Sequence, residues 1–160
     1  MGGRKRKFRR SCKEPVKVSG SGVHGRGVFA TRSIRKGERI IEYTGARVSW
    51  EKAQRLPPQD PNNPHHTAFF GLEDGNVINP ALGGNEAQWI NHSCDPNCET
   101  REENGRVFVF ASRDLKRGNE LFFDYQLEPA GRRTKTLEVL FKCYCDTPKC
   151  RGTMLEPLAD

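Results

Sequence analysis

Three thiols crowd into one short stretch, Cys143-Tyr144-Cys145-Asp146-Thr147-Pro148-Lys149-Cys150. Spacing of this kind around a proline turn suits a zinc knuckle. Structural zinc takes four tetrahedral ligands, usually thiolate or imidazole, at about 2.0–2.3 Å. The knuckle therefore needs a fourth ligand from elsewhere, and the candidates are Cys94, Cys98, Cys12 or a histidine. Exposed reduced thiols left without metal would be a chemical liability. A second stretch, Trp89-Ile90-Asn91-His92-Ser93-Cys94-Asp95-Pro96-Asn97-Cys98, gathers an amide, an imidazole, a hydroxyl, two thiols and a carboxylate. Its apolar periodicity stops after Ile90, so it is not a packing segment. Asp95-Pro96-Asn97 is turn chemistry, because proline restricts both itself and the residue before it. A short apolar element thus runs into a tight loop rich in donors, acceptors and a metal ligand.

The elements that must position these groups are short and mostly extended. Val16-Lys17-Val18 alternates as a first strand, and Val28 to Ala30 continues as another after the turn of His24-Gly25-Arg26-Gly27. That Gly-x-Gly lacks the third glycine and following helix of a dinucleotide fingerprint. Arg39 to Tyr43 reads as a strand, Ser49 to Leu56 as a helix capped by Ser49 and stopped by Pro57-Pro58. Thr67 to Leu72 and Asn76 to Ile78 form strands joined by Glu73-Asp74-Gly75. Asn85 caps one helical turn through Trp89. Glu99–Glu102 and Arg106–Ala111 make a hairpin around Asn104-Gly105, the strongest two-residue hairpin signal. Glu120 to Tyr125 is the last strand, and a helical turn is expected at Lys135 to Leu140.

One repetition stands out. Val28-Phe-Ala-Thr-Arg-Ser-Ile-Arg-Lys-Gly37 is matched by Val109-Phe-Ala-Ser-Arg-Asp-Leu-Lys-Arg-Gly118. The offset is far too long for a solenoid repeat. It predicts two similar strand–turn–strand units, each with a glycine at its return turn.

Length and composition bound the class. The chain of 160 residues suits one domain with a real core. No apolar run approaches the ~18 residues of a membrane span, and the N-terminal residues lack the apolar stretch of a signal peptide. The expectation is a soluble intracellular protein in which cysteines serve metal rather than disulfides. The net charge is +7, and much of it sits in Arg4-Lys5-Arg6-Lys7, Arg9, Arg10 and Lys13. Such an arm can contact phosphates weakly through residues 4–13 or act as a nuclear address.

Taken together, Asn91-His92-Ser93-Cys94-x-Pro96-Asn97-Cys98, Glu120-Leu121-x-Phe123-Asp124-Tyr125, Gly25-Arg26-Gly27-Val28-Phe29-Ala30, Glu42-Tyr43-x-Gly45 and the terminal Cys-x-Cys-x4-Cys resemble a SET-domain protein lysine methyltransferase with a post-SET zinc motif. The resemblance runs over roughly residues 16 to 155 with the motifs in order. It implies a mainly β, β-clip fold with knot-like C-terminal threading and a small zinc-binding tail. The corresponding division is a basic tail over 1–14, a SET domain over 15–127 with a variable insert at 49–68, a linker over 128–142 and a post-SET segment over 143–160. Family members transfer the methyl of S-adenosylmethionine to a lysine amine.

By this resemblance Tyr125 is the active-site tyrosine, Tyr43 lies near the lysine channel, and Phe123 occupies the Phe/Tyr switch position. Asn91 and His92 contact cofactor, Arg26, Gly27 and Phe29 line the other side of its pocket, and Met154 or Leu155 caps the adenine. Cys94, Cys143, Cys145 and Cys150 hold one zinc ion, with Cys98 buried in the following strand. Tyr43, Phe69, Phe70, Phe123 and Tyr125 are the aromatics available for a channel. Phe at 123 leaves room for added methyls, so di- or trimethylation is expected. Gln88-Trp89 stands where an Arg-Phe pair is common, and Asn119 replaces an acidic residue. The expected partner is a protein with a target lysine, a histone tail or another basic protein. A monomer is expected, nuclear or chromatin-associated in a eukaryotic or host cell and otherwise cytoplasmic. Two rival readings are a non-catalytic SET-like binding module and a basic zinc-knuckle nucleic-acid binder. Loss of Tyr125 or of the Asn91-His92 pair would favour the first, and all three are intact. A single knuckle lacks a base-reading element for the second.

Overall fold

The computed structural model describes residues 14–57, 68–129 and 131–159. The basic arm at 4–13, Cys12 and most of the Pro-rich insert lie outside the described residues. Ten short strands dominate: β1 Val16–Gly20, β2 Arg26–Ala30, β3 Arg39–Tyr43, β4 Ala46–Ser49, β5 Phe70–Gly71, β6 Asn76–Asn79, β7 Asn91–His92, β8 Cys98–Glu103, β9 Arg106–Ala111 and β10 Phe122–Phe123. Two helices, α1 Trp50–Arg55 and α2 Lys135–Leu140, and a 3-10 turn at Glu86–Trp89 complete the elements among the described residues. The strands form small sheets: β1-β2, β3-β9-β8, β4-β6-β5 and the parallel pair β10-β7. The fold is mainly β, as expected.

Local chemistry explains most boundaries. The Ser49 side chain accepts the backbone N–H of Lys52 and so caps α1, while Asn85 accepts from Ala87 and opens the 3-10 turn. Thr134 caps α2 in the same way through Leu137. At the β8–β9 hairpin Asn104 and Gly105 have φ of 52° and 74°, which the two-residue turn with positive φ requires. Strand β9, the central strand of its sheet, is buried from Val107 to Ala111 on both faces: Val107, Val109 and Ala111 face the core, and arginine side chains cover Phe108 and Phe110.

Two predicted strands are shorter than their sequence suggests. Of the described part of that stretch, 68–72, only Phe70–Gly71 forms a strand beside β6, and the Leu72 N–H closes the turn by bonding to the Asn76 carbonyl. Of Glu120 to Tyr125 only Phe122–Phe123 joins a ladder. Beyond it the Tyr125 N–H goes to the His92 ring rather than to a strand, and Gln126 takes a positive φ of 47°. The pair Asn91–His92, read as the start of a loop, is a strand because Phe122 and Phe123 run parallel beside it.

The repeated units meet each other face to face. Ile34 and Leu115 exchange backbone hydrogen bonds of 2.9 and 2.8 Å. Equivalent positions make reciprocal bonds: Gly37 N–H to Ala111, Gly118 N–H to Ala30, Ala111 N–H to Glu38 and Ala30 N–H to Asn119. Gly37 and Gly118 have φ of 87° and 89°, the conformation glycine adopts without strain. A pseudo-twofold pairing therefore lies between β2, β3 and β9. The main core adjoins it, built from Val28, Ile34, Ile41, Ile90, Val107, Val109 and Leu121, all nearly inaccessible.

Candidate active site and metal centre

The parallel pairing of β10 with β7 brings the two richest sequence motifs together. Asn91 is buried, and its amide nitrogen donates to the carbonyls of His24 (3.1 Å) and Arg26 (2.8 Å) and to Glu120 Oε1 (3.1 Å). Ser21 Oγ donates to the same Glu120 oxygen at 2.7 Å. Asn91 thereby ties β7 to the turn before β2. A Cβ on Gly27 would stand 2.1 Å from Glu120 Oε1, so a larger residue there would push this carboxylate away from Ser21 and Asn91. The Arg26 guanidinium lies over the Trp89 ring, 4.9 Å from its centroid. Phe29 pairs through its backbone with Glu120. The Asn97 amide uses both ends on the returning chain, donating to the Glu120 carbonyl and accepting from Phe122 N–H, each at 2.8 Å.

His92 is buried, and its Nδ1 accepts the Tyr125 N–H at 3.0 Å. Burial lowers its pKa to about 4, against the opposing pull of Asp124, so the ring is neutral at pH 7. With Nδ1 accepting, the ring proton sits on Nε2, which faces Cys94 Sγ at 3.4 Å. The Tyr125 hydroxyl donates to the Ile90 carbonyl at 2.5 Å. Four aromatics then form a connected row. Centroids are 4.9 Å apart for Phe123–Tyr125, 6.3 Å for Phe70–Phe123 and 5.2 Å for Tyr43–Phe70. The Tyr43 hydroxyl donates to the Ala68 carbonyl. Burial raises the phenol pKa of both tyrosines above its ordinary value, so both are neutral hydrogen-bond donors. Phe69, also named from sequence, makes no ring pair with this row among the described residues.

The sulfurs of Cys94, Cys143, Cys145 and Cys150 all lie within 4.8 Å of one another. Cys94 and Cys143 are 3.7 Å apart, close to the ~3.8 Å edge that a tetrahedron with Zn–S near 2.3 Å requires. Backbone N–H groups of Cys145, Arg151 and Gly152 point at the sulfurs of Cys143, Cys94 and Cys150. This donor set fits a zinc ion. Cys98 stands apart at the start of β8, where burial pushes its thiol up to about 12. Leu155 has no exposed surface and bridges Leu127, whereas Met154 keeps part of its surface.

The family model for the SET domain matches residues 25–126. The chain belongs to the SET-domain family. Over 155 residues this SET-domain chain is 33% identical to the human histone-lysine N-methyltransferase 2B, covering 94% of this chain and 6% of that protein. It is 34% identical over 145 residues to the H3 lysine-4-specific histone-lysine N-methyltransferase of Saccharomyces cerevisiae, covering 88% and 13%. The chain thus spans a small part of these curated relatives. Among solved structures, ctPRC2 in an autoinhibited conformation bound to S-adenosylmethionine matches with a TM-score of 0.61 and 32% identity, over 70% of this chain and 15% of that one. The SET-domain match spans the Asn91 motif and Tyr125 and ends just after it.

Sequence reasoning gave no role to several groups of this SET domain's site, although two of them, Glu120 and Asn97, stand in its motifs. Glu120, Ser21 and Asn97 fix the geometry around Asn91 but belong to no metal or acid–base pattern. Asp124, named only as part of the Tyr125 motif, and Arg151 were likewise given no role. Each adjoins a signalled residue, Tyr125 and Cys150, and only folding makes them partners. No helix is long and apolar enough to cross a membrane among the described residues.

Proposed function

We propose that this chain methylates lysine side chains of proteins, with histone-like basic tails as substrates and S-adenosylmethionine as methyl donor. The observation that carries the reading is the β10–β7 pairing, which sets Tyr125 against His92 and Ile90 at the end of the aromatic row. S-adenosylmethionine supplies, when bound, a methyl on a sulfonium whose departure needs no nucleophilic side chain. Its α-ammonium group suits the acceptors gathered at Asn91, namely the His24 and Arg26 carbonyls and the Glu120 carboxylate. Arg26, Gly27, Phe29, Asn91 and His92 are the residues assigned to that pocket. Of the two residues proposed to cap the adenine, Met154 and Leu155, the partly exposed Met154 is the better supported, since Leu155 is fully buried.

The substrate amine must be neutral to react. Free lysine has a pKa of ~10.4, so deprotonating it at pH 7 costs roughly 4–5 kcal/mol. A lysine stem lying along Tyr43, Phe70, Phe123 and Tyr125 loses water from its head group, which lowers that pKa. The Tyr125 phenol, neutral and directed by the Ile90 carbonyl, orients the reacting centre without acting as a base. Phe123 carries no hydroxyl to hold the amine or a water, which supports di- or trimethylation. One zinc ion on Cys94, Cys143, Cys145 and Cys150 orders the tail against the Asn91 loop. The histone-directed relatives support a nuclear, chromatin-associated role.

The test is transfer of labelled methyl from S-adenosylmethionine to a panel of histones and cell proteins. Wild type should label at least one substrate, Tyr125→Phe should lose at least ~100-fold in kcat, in line with removal of a positioned polar group. Phe123→Tyr should move the product toward monomethyl-lysine by mass spectrometry. No transfer by zinc-loaded wild type to any substrate would overturn the reading in favour of a binding module.

A further inference from the structure

The reciprocal pairing of the repeated units has a second consequence, at the surface. Ile34 and Leu115 are buried side by side, and each is followed by two cations and a glycine: Arg35-Lys36-Gly37 and Lys116-Arg117-Gly118. Residues 81 positions apart in the chain are thereby brought onto one edge of the fold. Arg35, Lys36, Lys116 and Arg117 are all exposed, and among the described residues none forms an ion pair. The two turns carry six cations (Arg32, Arg35, Lys36, Arg113, Lys116 and Arg117) against two carboxylates, Glu38 and Asp114, so they remain cationic together. Glu38 is held by Arg32 and by the Arg35 backbone, and Asp114 accepts the Lys36 N–H at 2.8 Å. Asp95 is shared by Arg113 and Lys149.

We infer that these twin turns form a docking surface for the phosphate backbone of duplex DNA. The only large apolar side chains in the two turns, Ile34 and Leu115, are buried beneath, so the surface is electrostatic. Protein partners generally need an apolar or aromatic centre to an interface. Phosphate contacts need only well-placed cations, and they position a protein on DNA without reading bases. The turns are rigid, because both backbones are pinned by the reciprocal hydrogen bonds. The surface also adjoins the root of the N-terminal arm. The Pro15 carbonyl accepts the Thr31 N–H at 2.9 Å, beside Arg32, and the sequence before it carries Arg4, Lys5, Arg6, Lys7, Arg9, Arg10 and Lys13. The site lies outside the Asn91–Tyr125 machinery and does not rest on the methyltransferase reading.

The experiment is fluorescence anisotropy of a labelled short DNA duplex against the zinc-loaded full chain over a range of salt. Compared are wild type, a variant with Arg35, Lys36, Lys116 and Arg117 all changed to alanine, and a control with Lys52, Arg55, Arg132 and Lys135 changed to alanine. Each variant loses four charges, and circular dichroism checks that all three are folded. Each phosphate contact contributes about 0.9 to the slope of log K against log salt, so the twin-turn variant should lose about 3 to 4 from that slope. The control should lose less than about 1. Equal losses in both variants, or no slope in wild type, would overturn the site. So would binding of poly-glutamate as tight as DNA, which would point to an acidic protein surface instead.

Discussion

Arg151 grips Asp124 through both terminal nitrogens, at 2.8 and 2.9 Å, and joins the cysteine knuckle to the residue preceding Tyr125. The Arg151 N–H also lies 3.3 Å from Cys94 Sγ, and its guanidinium reaches the Leu155 carbonyl at 3.1 Å. Both side chains are shielded, at 23% and 17% exposure, so solvent screens the pair only weakly. Bidentate contact between opposite charges is among the stronger hydrogen-bonded arrangements in proteins.

Arg151→Met should therefore lower stability by about 2 kcal/mol, within the range for hydrogen bonds to charged groups. The Arg151 Nε is buried with no partner, so part of the arginine's cost is relieved in the variant. Urea denaturation of Arg151→Met, Asp124→Asn and the double variant checks this. If the two act as a pair, the double variant should be little worse than the worse single. Fully additive losses would show that they act separately.

Zinc removal should loosen the C-terminal tail before it unfolds the body. The tail holds to the rest through the four thiols, the Arg151–Asp124 pair and the Leu127–Leu155 bridge. The sheet β3-β9-β8 has its own buried core. Treatment with a chelator should raise hydrogen exchange in residues 141–155 while residues 107–111 stay protected. Equal exposure of both regions would contradict this division.

Alkaline pH should destabilise the fold through two phenols. Burial holds the pKa of Tyr43 and Tyr125 above the usual tyrosine value, while unfolded tyrosine titrates near ~10. Their contribution is intact below pH ~10. Above it the unfolded chain binds fewer protons than the native one, so stability falls as pH rises. In a Tyr144→Phe background, which removes the exposed phenol, tyrosinate absorbance should appear together with unfolding. Its appearance in the folded protein near pH 10 would count against the burial.

Gly45→Ala should cost about 1–3 kcal/mol, the usual range for overpacking. A Cβ at this position would stand 2.4 Å from the Asn79 carbonyl oxygen and 2.7 Å from its carbon. Both are backbone atoms of β6, which cannot swing aside as a side chain would. Thermal denaturation measures the loss, and a change under ~0.3 kcal/mol would mean the two strands separate easily.

The sequence alone determined the elements whose signals are local. Ser49 and Asn85 announce their caps, Asn104-Gly105 its hairpin, and Cys143, Cys145 and Cys150 a metal knuckle lacking one ligand. These depend on side chains acting within a few residues of themselves. The motif order also pointed to the family that the comparison found over residues 25–126. Only the tertiary structure decided which distant groups meet. Phe123 runs beside His92, Asp124 finds Arg151, and the two repeated units close on each other through Ile34 and Leu115, while Cys94, already named by the resemblance as the fourth ligand, does lie beside the other three thiols. The length of β10 was decided in the same way. A strand lasts only while a neighbour supplies hydrogen bonds, and beyond Phe123 the next donor, the Tyr125 N–H, is taken by a histidine ring. Propensity describes what a segment can become, and the partners available in space settle where it stops.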